Sequence, residues 1–328
     1  MASLSNFLRP RDPIPPGPAE CRPVQRHEIE SSLRLILADD NGLASDSAVL
    51  DFLGFALQRK IDVNQIWVAA KGNRIYWALL PITSPGRTML LFTPNRLPEG
   101  TSLDIAQNLT AAVCNHWGGQ GMQLAQFLID PGDRPITRLY ESCGFEVLAE
   151  LIYLQRGVKH HPAPSFPHGF HAITYEPSNH SLFARTILNS YQGSLDCPAL
   201  NGKRDIEDVI AGHKATGIFD PACWHLLMEN SDPRGVLILS PSQHNDSVEL
   251  VYLGLCPEVR GRGLANEMMR LAMNSTGLQH RSELTLAVDA HNTPALRLYF
   301  RHGLKRIGSR LALLRDIRPG QPTSLHQV

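Results

Sequence analysis

Residues 253–265, LGLCPEVRGRGLA, join a hydrophobic strand to a helix through a short loop rich in glycine and arginine. Glycines at this point let the backbone approach a ligand closely. The first amides of the helix have no partner inside it, and the helix dipole adds positive character there. Such a loop favours phosphate, and Arg260 and Arg262 can add charge-assisted contacts to a pyrophosphate. The stretch therefore predicts a phosphate-binding loop, with a glycine-rich turn and two solvated arginines as the alternative.

Apolar patterns on both sides of this loop predict a mixed α/β unit in the C-terminal half. Alternating or continuous apolar runs indicate strands, and runs with a period near 3.6 indicate helices. In chain order we predict a helix at 181–190, strands at 224–229, 234–239 and 247–255, a helix at 261–276 capped by Gly277, a strand at 283–288, a helix at 293–302 ended by Gly303, and a strand near 307–315. This order is typical of a twisted mixed sheet flanked by helices.

The end of this half is repeated near the middle of the chain. Residues 129–145, IDPGDRPITRLYESCGF, match residues 288–304, VDAHNTPALRLYFRHGL, at six of seventeen positions, where about one match is expected by chance. Upstream, the same order of elements is predicted from helices near 28–38 and 46–58 and strands at 66–70, 75–80 and 88–92. Two copies of one supersecondary unit imply two tandem α/β domains.

Proline-rich and polar stretches set the expected domain boundaries. We expect a disordered lead-in over 1–20, a first domain over 21–156, a linker over 157–169, a second domain over 170–318 and a tail over 319–328. After the strand-forming run MLLFTP, the first domain continues with NRLPEG, in which Pro98 removes an amide donor. This copy is therefore predicted to be degenerate and to bind no cofactor.

Composition limits the classes of function. Basic and acidic side chains balance at 31 each, which argues against a nucleic acid or an anionic membrane as partner. We see no leader pattern and no apolar run of about 18 residues, so we expect a cytoplasmic protein. The six cysteines and the pair His160–His161 lack metal-ligand spacing, so no metal is expected.

The glycine-rich loop and the repeated segment together resemble the signatures of the GNAT family (GCN5-related N-acetyltransferases). The loop matches the family's acyl-CoA pyrophosphate motif, Arg-x-x-Gly-x-Ala, at Arg260, Gly263 and Ala265. The later segment matches the second signature at Asn292, Ala295, Tyr299 and Gly303. The resemblance implies acetyl-CoA as cosubstrate. It also implies a sheet whose fourth and fifth strands, here 247–255 and 283–288, splay apart to admit the pantetheine arm.

The same resemblance implies which residues hold the cosubstrate. Backbone groups of the fourth strand would pair with the pantetheine and polarise the thioester carbonyl, in the manner of an oxyanion hole. The expected contacts are Leu253, Leu255, Arg260, Gly261, Arg262, Gly263, Leu264, Ala265 and Asn292. Asn292 is the more discriminating of these, because an asparagine can donate to a carbonyl and its counterpart Asp133 cannot.

Glu249 and Tyr299 are the expected catalytic residues by resemblance. Strand alternation is expected to place Glu249 on one face with Val251, Leu253 and Leu255. There it would accept a proton from the incoming ammonium, directly or through water. Tyr299 would protonate the departing CoA thiolate. A salt-bridged glutamate and a tyrosine used for core packing are the alternatives, since Tyr140 occupies the equivalent position in the first copy.

Residues 191–202, YQGSLDCPALNG, are polar and rich in turn formers, and they are the expected acceptor region. Tyr191 and Asp196 are candidate substrate contacts, and Asp196, Glu207 and Asp208 could hold a cationic amine. The alternative is turn and cap chemistry for Asp196 and a solvated helix face for Glu207 and Asp208. The sequence as a whole predicts an N-acetyltransferase that acts on a primary amine of a small molecule by direct attack through a tetrahedral intermediate. A CoA-binding scaffold without turnover and an aminoacyl transferase are the other readings, and a monomer or a homodimer is expected.

Overall fold

The computed structural model describes residues 18–38, 42–96, 102–159 and 161–320. The first 17 residues of the predicted lead-in, Pro98, His160 and the tail from 321 lie outside the described residues. In the N-terminal half the elements are β1 (Glu20–Pro23), α1 (Ile29–Ile36), α2 (Asp46–Gln58), β2 (Trp67–Lys71), β3 (Arg74–Ser84), β4 (Thr88–Phe92), α3 (Leu103–Gly119), β5 (Leu124–Ile129), α4 (Arg134–Ser142) and β6 (Glu146–Gly157).

The C-terminal half repeats this alternation of strands and helices. Its elements are β7 (Phe170–Thr174), α5 (His180–Tyr191), α6 (Ile206–Ala215), β8 (Trp224–Glu229), β9 (Asp232–Pro241), β10 (Ser247–Leu255), α7 (Leu264–Leu278), β11 (Glu283–Asp289), α8 (Thr293–Arg301) and β12 (Lys305–Asp316). The predicted mixed α/β class is confirmed. Among the described residues, none of the helices has the length and apolarity that crossing a membrane requires.

The chain divides into two compact units, one formed by Met1–Pro81 and Phe92–His116, the other by Ile82–Leu91 and Trp117–Val328. In the first unit, β1, β2 and β3 form an antiparallel ladder. The amphipathic helix α1 buries Leu33, and α2 begins at an N-cap, Ser45, whose hydroxyl accepts a hydrogen bond from the Ala48 amide. The domain ranges 21–156 and 170–318 follow the sequence repeat and stay a prediction.

The second unit is built on a sheet with the strand order β4-β5-β12-β6-β11-β10-β9-β8-β7. The pairs β4–β5 and β10–β11 are parallel and the other pairs are antiparallel. Its core includes Phe183, Trp224 and the methionines Met268 and Met269 of α7, all fully or almost fully buried. Burial of these large side chains is the main favourable contribution to the stability of the unit.

The two copies of the repeat have the same local structure. Asp133 caps α4 and Asn292 caps α8, each accepting a hydrogen bond from the backbone amide three residues later. Gly144 and Gly303 follow these helices with φ of +81° and +77°, a conformation that glycine adopts without strain. The closing strands β6 and β12 each have twelve residues. The predicted tandem repeat is therefore present in the structure.

The closing strands of the two copies are exchanged. Strand β6 lies between β11 and β12, with Arg156 opposite Leu284, and β12 lies between β5 and β6, with Leu311 opposite Ile129. Each copy thus completes its sheet with the last strand of the other copy. The sequence repeat predicts the strands but not this exchange, because partner choice over such separations leaves no local pattern.

Both predicted ends of α7 are displaced. Gly261 and Gly263 have φ of +76° and +80°, which no helical residue adopts, so the helix begins at Leu264 and not at 261. At the other end, Gly277 lies inside the helix, which continues to Leu278, and His280 takes the left-handed conformation instead. The short strand β7 and the helix α6 were not predicted.

Candidate active site

Strands β10 and β11 separate shortly after they begin. They pair from Ser247 opposite Glu283 to Glu249 opposite Thr285, and no pairing continues beyond that point. A cavity of about 540 Å³ lies in this region, and Leu253 of β10 and Val288 of β11 are among the residues that line it. The splay of the fourth and fifth strands that the resemblance implied is therefore present, and we call this cavity the cleft.

A β-bulge occurs in β10 beside the cleft. Leu250 lies opposite Leu239 of β9, but Tyr252 lies opposite the next residue, Ile238, so Val251 is an extra residue in the ladder. Residues that pair across an antiparallel ladder have their side chains on the same face of the sheet. The bulge therefore shifts the alternation of every later side chain in β10 by one position.

This shift corrects the predicted orientation of Glu249. Beyond the bulge, Leu253 and Leu255 lie on the face of Leu250, whereas Tyr252 and Gly254 share the face of Glu249. The expectation that Glu249 shares a face with Val251, Leu253 and Leu255 is wrong, because it assumed unbroken alternation. Glu249 is exposed and is not among the residues that line the cleft.

The backbone of β10 presents hydrogen-bonding groups to the cleft. The amide of Cys256 donates to Arg234 of β9 at 2.8 Å. Because backbone groups alternate in direction along a strand, those of Leu253 and Leu255 point away from β9, toward the gap. The Leu255 carbonyl accepts a hydrogen bond from Arg260 Nε at 3.0 Å, which leaves the Leu253 groups and the Leu255 amide directed at the cleft.

The glycine-rich loop leaves the first turn of α7 open. Gly263 is the N-cap residue, and no side chain caps the helix. Gly261, Gly263, Leu264 and Ala265 line the cleft. An uncapped first turn has amides without partners and the positive end of the helix dipole, both of which favour an anion. The loop thus has the features that a pyrophosphate site requires.

The two arginines of the loop have different surroundings. Arg260 lines the cleft but donates to the carbonyls of Leu255 and Ser190, the latter at 2.9 Å, so it fixes the loop against the ends of β10 and α5. Arg262 does not line the cleft. Its guanidinium bonds Glu229 at 3.1 Å and lies over the Phe170 ring. Direct contact of either side chain with a pyrophosphate stays a prediction.

Tyr299 and its counterpart Tyr140 have different environments. Tyr140 is fully buried and its ring stacks on Phe127, with the centroids 3.6 Å apart. Tyr299 lines the cleft. Burial raises the pKa of Tyr299 well above its usual range, and Asp196 raises it further. Its phenol is therefore protonated and able to donate, whereas Tyr140 has a packing role.

Asp196, Asn292 and Asp289 form a cluster at one end of the cleft. Asp196 Oδ1 accepts from the Asp289 amide at 3.3 Å, and Asp289 Oδ2 accepts from the Cys197 amide at 3.2 Å. Burial raises the pKa of Asp196, an effect that a hydrogen bond from Asn292 opposes. Asn292 thus uses its oxygen to cap α8 and its amide to bond Asp196. Burial and the two carboxylates raise the pKa of Cys197 to about 12, which makes it a poor nucleophile.

Beside Asp196, a polar cluster joins α5, α6 and β10. The hydroxyls of Tyr252 and Ser190 are 2.8 Å apart, and the Tyr191 ring packs edge-on against Tyr252. Burial raises the pKa of Tyr191 to about 12. His213 stacks on Tyr252 from the other side, and burial lowers its pKa to about 4. Ser190 and Tyr252 line the cleft, whereas Tyr191 lies behind it.

The other two acidic candidates lie away from the cleft. Glu207 Oε2 lies at hydrogen-bond distance, 2.9 Å, from His180 Nε2, and Asp208 accepts a hydrogen bond from Arg87 Nε at 2.8 Å. Neither is among the cleft residues. Sequence reasoning missed Ser190 and Tyr252, since a serine and a tyrosine in amphipathic elements carry no distinguishing signal. No group of His, Cys, Asp and Glu suited to a metal occurs among the residues that the structure describes.

A splayed sheet whose gap leads to an uncapped, glycine-rich helix N-terminus is the arrangement that the resemblance to the GNAT family implied. Residues 194–304 match the model of the acetyltransferase (GNAT) family.

Two relatives and one solved structure extend this result. The mycothiol acetyltransferase of Jonesia denitrificans is 26% identical over 181 residues, covering 52% of this chain and 56% of its own length. The mycothiol acetyltransferase of Mycobacterium ulcerans is 24% identical over 224 residues, which cover 62% of this chain and 67% of its own length. A GCN5-related N-acetyltransferase from Sphaerobacter thermophilus has the same fold over 93% of this chain and 98% of its own, with a TM-score of 0.58 and 18% identity. The chain thus spans little more than half of the Jonesia enzyme.

Proposed function

We propose that the protein transfers an acetyl group from acetyl-CoA to a primary amine of a small molecule. The observation that carries the proposal is the continuity of the cleft. One cavity joins the unpaired backbone of β10, the uncapped amides of α7 and the side chain of Tyr299. A thioester carried on a pantetheine arm and a pyrophosphate fits this order of groups.

The residues around the cleft have distinct roles in this reaction. The backbone amides of Leu253 and Leu255 donate to the cosubstrate and stabilise negative charge on the thioester oxygen. Tyr299, kept protonated by burial, donates a proton to the leaving sulfur. Glu249, on the face of Tyr252 and Gly254, accepts the proton of the attacking amine through water.

The acceptor carries a positive charge before it reacts. Asp196 accepts a hydrogen bond from the Asp289 amide. Glu249 and Asp289 lie on the same side of β10 and β11 by register, because Glu249 pairs with Thr285 and strands alternate every second residue. Asp196 and Asp289 at one end of the cleft, with Glu249 on the same face of the sheet as Asp289, favour an ammonium group over an anion. The fold alone does not fix the acceptor.

Replacement of Gly263 by glutamate tests the cosubstrate. A carboxylate at the uncapped N-terminus of α7 repels phosphate, so we expect Gly263→Glu to weaken acetyl-CoA binding at least about 100-fold in a calorimetric titration. Gly121→Glu is a matched control: Gly121 is also left-handed, with φ of +92°, and also has open space around its Cβ position. Normal binding by Gly263→Glu, with a normal melting curve, would contradict the proposal.

Replacement of Asp196 by asparagine tests the acceptor site. The neutral amide cannot pair with an ammonium, so we expect the KM for the amine to rise about 10- to 100-fold, with acetyl-CoA affinity retained. In the native protein the KM should rise as the pH falls, since burial raises the pKa of Asp196 and the carboxyl then takes up a proton. Steady-state kinetics over pH measure both effects. A fall in kcat at unchanged KM would instead give Asp196 a role in proton transfer.

A further inference from the structure

A second cavity, of about 460 Å³, lies directly beside the phosphate loop. It shares four lining residues with the cleft, namely Gly263, Leu264, Asn266 and Arg301. The first turn of α7 therefore contacts both cavities. A group attached to a phosphate at the open amides of α7 would lie beside this second cavity.

Basic side chains dominate the second cavity. Arg262, Arg270 and Arg301 line it, against the single carboxylate of Glu267. Glu267 accepts hydrogen bonds from Arg270 and from the Ser165 amide, at 2.9 and 2.8 Å. The Arg301 side chain, at the end of α8, has no ion pair or hydrogen bond among the residues that the structure describes, and Arg301 borders both cavities.

The surroundings of His302 reflect the same excess of positive charge. His302 lines the cavity, and its Nε2 lies 3.3 Å from Asn266 Oδ1. Burial lowers the pKa of His302, and Arg156, Arg270 and Arg301 lower it further. Positive groups concentrated without an equal number of carboxylates attract an anion.

We infer that this basic cavity, which we call the Arg270–Arg301 pocket, binds the 3′-phosphate of the CoA nucleotide and makes the protein select CoA over its 3′-dephospho form. The inference depends on the proposed use of acetyl-CoA. A phosphate monoester carries a charge of about −1.5 to −2 near neutral pH. The pocket offers it Arg301 together with Arg262 and Arg270, whose ion pairs with Glu229 and Glu267 leave one net positive charge. In CoA this monoester sits on the ribose next to the pyrophosphate, and the pocket lies next to the pyrophosphate loop.

Two calorimetric titrations, with CoA and with 3′-dephospho-CoA, test the pocket. We expect the native protein to bind CoA about 10- to 100-fold more tightly, because charge-assisted hydrogen bonds to the monoester are lost in the dephospho form. In a double variant, Arg270→Gln with Arg301→Gln, the two ligands should bind equally, at about the affinity of the native protein for 3′-dephospho-CoA.

Arg297→Gln is the matched control for the charge removed. Arg297 is exposed on the same helix as Arg301 but does not line either cavity, so this variant should keep the native preference for CoA. Equal binding of both ligands to the native protein would overturn the pocket assignment alone. So would a double variant that keeps the preference. Failure of both ligands to bind the native protein would overturn the proposed function, and the pocket assignment with it.

Discussion

Glu249→Gln is expected to lower kcat by about 10²- to 10⁴-fold while the affinity for acetyl-CoA stays unchanged. A positioned general base contributes this much when it accepts a proton in the transition state. The glutamine side chain keeps the size and polarity of the glutamate but cannot take up the proton. Glu249 is not a cleft-lining residue, so the cosubstrate site should remain intact. Steady-state kinetics and calorimetry on the same preparation separate the two effects.

Glu283→Gln provides the control for this measurement. Glu283 lies at the start of β11 on the same face as Thr285, the partner of Glu249, and bonds the Gln155 amide at 2.6 Å. Its substitution removes the same charge close by and should leave kcat within a few-fold. Native turnover in the Glu249 variant would refute the base assignment. If kcat of the Glu249 variant still rose with pH in the acidic range, as expected for the native protein, another group would be the base.

Residues 170–318 expressed alone are expected not to fold. This fragment lacks β6, which lies between β11 and β12 and buries Ile152 and Leu154 in the core. Without β6, strands β11 and β12 each lose a neighbouring strand, and the core side chains that β6 covers become exposed to solvent. We expect no cooperative melting transition by circular dichroism and no acetyl-CoA binding.

A cleavage site placed between residues 161 and 166 of the intact chain distinguishes loss of the strand from loss of chain continuity. After cleavage, β6 is still present and its backbone pairs are intact, so the nicked protein should melt as the uncut protein does. If the isolated fragment melted cooperatively and bound acetyl-CoA with native affinity, the exchanged strand would be dispensable, and the range 170–318 would be an autonomous domain.

Local patterns in the sequence predicted most of the strands and helices, and the resemblance to the GNAT family implied the position of the cleft. The range 247–255 agrees with β10 at both ends, and Gly303 ends α8 as expected. These features depend on neighbouring residues, whose apolar spacing and glycine content are visible in the chain. The pairing of β6 with β11 depends on residues more than a hundred positions apart, and no local pattern records it.

In the candidate site, too, features set by neighbouring residues were predictable, and contacts between distant residues were not. The uncapped loop before α7 was predictable, because glycine and the start of a helix are read directly from the sequence. The use of Arg260 to bond two backbone carbonyls was not, since a surface arginine has many partners of similar free energy. The hydrogen bond from Asn292 to Asp196 likewise required the two loops to be placed in space.

The extra residue at Val251 reverses the alternation of side chains along β10. Before it, odd-numbered positions of β10 point to one side of the sheet, and after it they point to the other. The strand thereby presents Glu249 on one face of the sheet and Leu253 and Leu255 on the other, although all three positions are odd-numbered. If the ladder ran without the bulge, Val251 would lie opposite Ile238, and Tyr252 and Leu253 would each lie on the face that the other now occupies. The chemistry of the strand is thus encoded in its count of residues as much as in their identity.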